Sequence, residues 1–184
     1  MIGPILTYVV GAYVVDVILR PELAMRRARQ AADARGKPLL NVGAGVGYRG
    51  PKNLLLGPEL RGDVNVDITA DEFWTPADGY GPEVYKADIL CLPFSGRRFG
   101  AAVACHVLEH VTNPEKALRE LYRVADEVFV VCPRWWGFHT WAQPDHKWYL
   151  RRDGTFERMG PRRDRHGRPL SRVPPGAQAV LSSR

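Results

Sequence analysis

The sequence is poor in cysteine and in long apolar runs. Its three cysteines, Cys91, Cys105 and Cys132, form no C-x-x-C pair, which argues against the disulfide framework of a small secreted domain. Each sits in or beside an apolar run, so reduced and buried thiols are expected. No apolar run reaches the roughly 20 residues of a membrane-spanning helix. The nearest is residues 2–15, which carry no charge; Asp16 interrupts it before Val17-Ile18-Leu19. The body of the chain also lacks a charge excess. Residues 1–150 hold 17 Lys+Arg and 17 Asp+Glu, whereas residues 151–184 hold nine Arg and three acids, so the net +6 resides in the tail. The remaining composition is that of a globular protein, and 184 residues suffice for one domain with a real core.

Residues 1–20 are expected to form a hydrophobic helix, either a membrane anchor through residues 2–19 or a helix docked on the domain surface. Arg20, Arg26, Arg27 and Arg29 follow the apolar run rather than precede it. That order disfavours a cleaved signal peptide and suits a cytoplasmic domain, free or held on the cytoplasmic face of a membrane. Residues 21–37 are predicted as a polar linker helix, with Pro21 at its start and Gly36 at its stop. Residues 151–184 are Arg/Gly/Pro-rich and predicted disordered, at least beyond about residue 160. After Phe156 no aromatic residue interleaves with the arginines, so the tail offers no base-stacking platform and nucleic acid is unsupported as a partner beyond the charge itself.

Between these ends, short apolar runs recur at Pro38–Val42, Val64–Val66, Val84–Ala87, Phe99–Cys105 and Glu127–Cys132. They do not alternate with polar residues, the pattern of strands buried on both faces of a parallel sheet. One helix separates the last two. Asn113 is placed to cap it and Pro114 to start it, with Leu118, Leu121, Tyr122 and Ala125 on one face and Lys116 paired with Glu120 outside. The expected fold is a Rossmann-like, doubly wound α/β sheet, mostly parallel, lacking the usual last strands and preceded by an amino-terminal helix.

The first strand runs into Gly43-Ala44-Gly45-Val46-Gly47. Glycines at a strand's carboxyl end permit a tight turn and let backbone N–H groups approach a ligand. Asp67 closes the next strand 24 residues after Gly43, where a carboxylate can accept from both hydroxyls of a ribose. A second frame, Gly45-Val46-Gly47-Tyr48-Arg49-Gly50, matches the G-x-G-x-x-G fingerprint of an NAD-type dinucleotide site. That fingerprint needs a helix to open at once, and Pro51, Gly57 and Pro58 crowd the segment.

Three further segments complete a series: Ala87-Asp88-Ile89-Leu90-Cys91-Leu92-Pro93-Phe94 after the third strand, the fourth strand Phe99–Cys105, and His106-Val107-Leu108-Glu109-His110-Val111 after it. With the glycine loop and Asp67, this series resembles the class I S-adenosylmethionine-dependent methyltransferases. The resemblance covers residues 38–150, including Asp145-His146-Lys147-Trp148-Tyr149. It implies S-adenosylmethionine as cofactor. Gly43, Ala44, Gly45 and Gly47 would then pass beneath the methionine part, and Asp67 would hold the ribose hydroxyls with Ile68 on the adenine. Asp88 would accept from the adenine amino group, and the Ile89 backbone would meet the ring edge. His106 would lie nearest the methionine moiety and the acceptor, as a candidate general base. Asn41 stands where the family usually carries an acid, and no sixth and seventh strands are evident after Tyr149.

His106-Val107-Leu108-Glu109-His110 also fits H-x-x-E-H, an inverted zinc-peptidase pattern. The pattern begins at a strand end, Asn113-Pro114 starts a new helix soon after, and the downstream Glu157 sits in the basic tail. No metal site is therefore expected, and a zinc hydrolase is the remote alternative. The aromatic stretch from Trp135 to Tyr149, with His139, Asp145 and His146, is placed either to roof an acceptor site or to cover an open sheet edge. The acceptor is expected to be a small molecule, a lipid or a glycan; the competing class is a non-catalytic scaffold on a methyltransferase-like fold.

Overall fold

The computed structural model describes residues 11, 14–45, 61–70, 82–133, 145–151 and 153–159. Five strands form one sheet: β1 (Leu39–Val42), β2 (Val64–Asp67), β3 (Glu83–Lys86), β4 (Phe99–Cys105) and β5 (Ala125–Val131). Their order is β3-β2-β1-β4-β5 and every pair is parallel. The expected doubly wound sheet is therefore present, with β1 at its centre.

Strand composition follows from cover on both faces. All residues of β1 and β2 are buried, so neither strand alternates with polar residues. Successive side chains still point to opposite faces. Leu39, Ala101 and Val103 pack with one layer, and Leu40, Val42, Ala102 and Ala104 with the other.

The first layer is helix α1 (Arg20–Ala34), entered from a π-helical turn at Val14–Leu19. Met25, Ala28 and Ala32 form its buried stripe, so the segment read as a linker lies against the sheet. The approach is close: a Cβ on Gly100 would stand 2.9 Å from the Ala32 Cα. Arg29 fixes the helix to the chain entering β2, donating to both Asp63 oxygens at 2.9 and 2.7 Å and to the Arg61 carbonyl at 3.0 Å. Asp63 also accepts from the Leu39 amide at 2.7 Å, so the same carboxylate joins α1, β1 and β2.

The second layer is helix α2 (Pro114–Val124), with the turns after β3. The Asn113 side chain accepts from the Lys116 amide at 2.9 Å, the cap expected from Asn-Pro. Ala117, Leu118, Leu121 and Val124 are buried. Tyr122 is exposed and Ala125 already belongs to β5, so the apolar face lies one step from the expected one. Glu120 pairs with Arg123 at 2.7 Å rather than with Lys116, because Arg123 is drawn inward to donate to the Leu92 and Phe94 carbonyls.

Beyond the sheet, β6 (Trp148–Leu150) and β7 (Phe156–Arg158) form a separate antiparallel hairpin. The boundary expected after residue 150 thus falls inside a hairpin, although among the described residues no sixth or seventh strand joins the main sheet. No helix among the described residues is long and apolar enough to cross a membrane. Residues 1–10 of the expected anchor, and the tail from 160 onward, lie outside the described residues. None of the three cysteines is in a disulfide, as expected. Cys132 is buried and Cys105 partly so, whereas Cys91 is exposed, contrary to expectation, because it sits in the turn after β3.

Glu22, in the first turn of α1, accepts from Arg61 at 2.6 Å and Arg26 at 2.8 Å. The Arg61 hydrogen bond first, then that of Arg26, lowers its carboxyl from 4.5 to about 2. A depressed folded-state value stabilises above the unfolded one and is lost as pH falls through the folded one. Glu22→Gln is expected to lower stability at neutral pH by less than about 1 kcal/mol, since the pair is more than a third exposed. That difference should close between about pH 4.5 and about pH 2. Thermal melts of both proteins across this window check it; a gap that stays constant there refutes the pairing.

Candidate functional site

Parallel strands end together, so the carboxyl edge of this sheet gathers the loops that follow β1, β2, β3 and β4. At that edge Gly43 adopts φ +76° and Gly45 φ +73°. Both lie in the left-handed region that glycine enters without steric cost. A Cβ on Gly43 would also stand 2.2 Å from Val107 Cγ2, so the loop and the turn after β4 interlock at a distance only glycine permits. The Gly43 and Ala44 amides both donate to the Val66 carbonyl, at 2.7 and 3.2 Å.

Asp67, the last residue of β2, is buried and aimed at this loop. Its Oδ2 accepts from the Gly45 amide at 2.6 Å, and its Oδ1 from the Thr69 amide and hydroxyl at 2.8 and 2.6 Å. An ionised carboxylate has about four acceptor positions, so it can hold the loop and still face a ligand. Ile68, next along, is exposed over 62 % of its surface, a large apolar side chain open to a flat partner. Asp88 is exposed after β3, and its Oδ1 accepts from the Leu90 amide at 2.9 Å. The Ile89 side chain is buried in the core, so only its backbone is available at the edge.

His106 follows β4 at φ +57°, a strained position for a residue with a side chain. Its amide donates to the Val131 carbonyl at 2.8 Å, and its Nδ1 lies 3.2 Å from Glu109 Oε1. The ring is thus turned back over its own loop and held by a buried carboxylate. Residues 106–112 contain no helix. His106 and His110 therefore do not share a helical face, and the inverted zinc-peptidase arrangement is absent.

The structure thus brings Gly43, Ala44, Gly45, Asp67, Ile68, Asp88, Ile89 and His106 to one edge. Gly47 lies outside the described residues, as do most of the dinucleotide frame from 46 to 50 and the aromatic stretch from Trp135 to Trp141. Asn41 serves a different end from the acid it replaces. It is buried and donates to Asn65 Oδ1 at 3.1 Å, while Asn65 bonds Gly62 and the Glu83 carbonyl. This amide ladder joins β1 to β2 and β3 inside the sheet. Sequence reasoning also missed how tightly His146 and Glu109 are buried; the H-x-x-E-H spacing marked Glu109, but nothing local marked His146.

The pattern is matched by a family model described as a methyltransferase domain, over residues 40–127. Among solved structures the chain is similar to a Thermotoga maritima protein described as an S-adenosylmethionine-dependent methyltransferase, possible histamine N-methyltransferase. Identity is 21 %, the TM-score 0.32, and the match covers 58 % of this chain and 49 % of that one. The chain therefore spans about half the length of that relative. No curated protein sequence matches. Residues 40–127, which run from β1 through α2 into β5, are thus the part of the chain that matches a methyltransferase domain.

Proposed function

We propose that this chain binds S-adenosylmethionine along the carboxyl edge of the sheet and transfers its methyl group to a small-molecule, lipid or glycan acceptor. The observation that carries the reading is the buried Asp67 carboxylate bonded to the Gly45 amide, which sets loop and acid in one arrangement. The surroundings fit the group. Gly43 lets the loop pack against Val107, where any side chain would clash, Ile68 offers an apolar surface for a purine, and Asp88 has a carboxylate in reach of solvent. In this reading the Gly43–Gly45 backbone lies under the methionine portion, Asp67 accepts from the ribose hydroxyls, Asp88 from the adenine amino group, and the Ile89 backbone meets the ring edge.

The bound sulfonium supplies an activated methyl carbon, so the protein's work is alignment and exclusion of water. S-adenosylmethionine, held by the Gly43–Gly45 backbone, Asp67 and Asp88, would supply that carbon to a lone pair of the acceptor. A hydroxyl or ammonium acceptor must also lose a proton. In this reading His106 takes it: the residue follows β4 at the carboxyl edge, and Glu109 orients its ring through Nδ1.

Calorimetry with S-adenosylmethionine and S-adenosylhomocysteine tests the donor site. Binding of both is expected. Asp67→Ala should weaken it by about tenfold or more, the equivalent of one charge-assisted hydrogen bond. Gly43→Ala should abolish it, with a fall in melting temperature. No binding of either compound at about millimolar concentration would leave the non-catalytic scaffold, and tighter binding of NAD would favour the dinucleotide reading. For His106, the measurement is S-adenosylhomocysteine released with an acceptor-containing extract. His106→Ala should reduce release by about 100-fold or more with donor binding retained; full turnover in that variant removes His106 from the chemistry.

A further inference from the structure

The turn after β4 and the chain entering β6 meet at a cluster of which methyl transfer uses only the contact of Glu109 with His106. Glu109 is completely buried. Its carbonyl accepts from the Lys147 and Trp148 amides at 2.7 and 3.3 Å, and its Oε1 faces His106. Among the described residues its Oε2 has no hydrogen-bond partner. A buried carboxylate oxygen left unpaired is costly, and a cation would compensate it.

Two imidazoles stand beside that carboxylate. His146 is 2 % exposed, and its ring contacts that of His110 at a centroid distance of 4.8 Å. One carboxylate oxygen of Glu109 and one ring nitrogen each of His110 and His146 all lie within 4.8 Å of one another. Donors on a tetrahedral ion with bonds of about 2.0–2.1 Å stand about 3.4 Å apart, so these atoms close by at most about 1.4 Å to share one. We propose that Glu109, His110 and His146 bind a divalent transition-metal ion of the zinc class.

The donor set is two imidazoles and a carboxylate, which suits zinc and disfavours magnesium or calcium. The outer contacts are those a metal site needs. Asp145 Oδ2 lies 3.1 Å from His110 Nδ1, fixing that ring and leaving Nε2 for the ion. His106 holds the other Glu109 oxygen at 3.2 Å. The frame is rigid: Lys147 Nζ donates to the His110 carbonyl at 2.6 Å and Trp148 Nε1 to the Val111 carbonyl at 3.0 Å. The set is not that of an inverted zinc peptidase, because Glu109 is a ligand rather than a base and His106 an orienting group. An ion here clasps the start of the β6–β7 hairpin to the turn that carries His106.

The test uses the full chain stripped of metal by a chelator, titrated with zinc and separately with cobalt. The wild type is expected to bind one equivalent, to give the visible absorption of tetrahedral cobalt, and to melt at higher temperature with zinc than with chelator. Asp145→Asn should weaken binding by about tenfold, as removal of an outer partner does. His110→Ala and Glu109→Gln should weaken it further and lose the zinc-dependent rise in melting temperature. Far-UV circular dichroism in chelator establishes that each variant is folded; should Glu109→Gln not fold, the partly exposed His110 and Asp145 carry the test. A wild type that takes up neither metal overturns the proposal, as does unchanged affinity in both His110→Ala and Asp145→Asn. Donor binding, measured on the same samples, reports on the methyltransferase reading separately.

Discussion

Burial of Glu109 constrains the whole carboxyl edge. A carboxylate with no solvent exposure must be compensated within the protein, and the turn that carries it is bound on three sides. His106 turns back to it by adopting a left-handed backbone, which directs the His106 amide to the Val131 carbonyl of β5. The chain between the two places Val107 against Gly43, where no other residue fits. The Glu109 carbonyl receives the entry to the hairpin. One short turn therefore sets the glycine loop, the end of β5 and residues 145–150 in mutual register. Moving any one of these moves the others.

The sheet beneath leaves only that edge for chemistry. Its strands are covered by α1 on one face and by α2 with the turns after β3 on the other, and its central polar residues are consumed internally. Asn41, Asn65 and Gly62 bond to one another across β1 and β2. Asp63 is likewise spent on Arg29 and the Leu39 amide. An acid at position 41 would introduce a charge where the ladder needs an amide donor. The departure from the family pattern is thus accounted for by pairing inside the sheet, and Asp67 remains the carboxylate that faces the loop.

Much of this was legible in the sequence, for local reasons. Two-sided burial removes alternation, so the strands read as short apolar runs, and β4 begins and ends where expected. Asn113-Pro114 announced α2 because capping is a matter of adjacent residues. Gly43 and Asp67 were legible because the fold fixes their spacing. Misreadings arose where distant chain decided the outcome. Glu120 turned to Arg123 because Arg123 is recruited by the Leu92 and Phe94 carbonyls. The hairpin of β6 and β7 is three residues a strand, too short for a periodic signal. His146 looks like any polar residue in an aromatic stretch until the fold lays it against His110.

The division of labour at the edge follows from chain order. The groups proposed for the methyl donor come from residues before the end of β4, all inside the family-matched stretch. Those on the far side of His106, namely Asp145, His146 and the hairpin, come from beyond it. A donor common to a family needs one arrangement, whereas acceptors differ, so variation belongs after the last shared strand. His106 stands between the two sets, its backbone bonded to β5 and its ring bonded to Glu109. Its orientation therefore depends on how the hairpin sits. Through Glu109, whatever fixes the hairpin also fixes the proposed base relative to the donor.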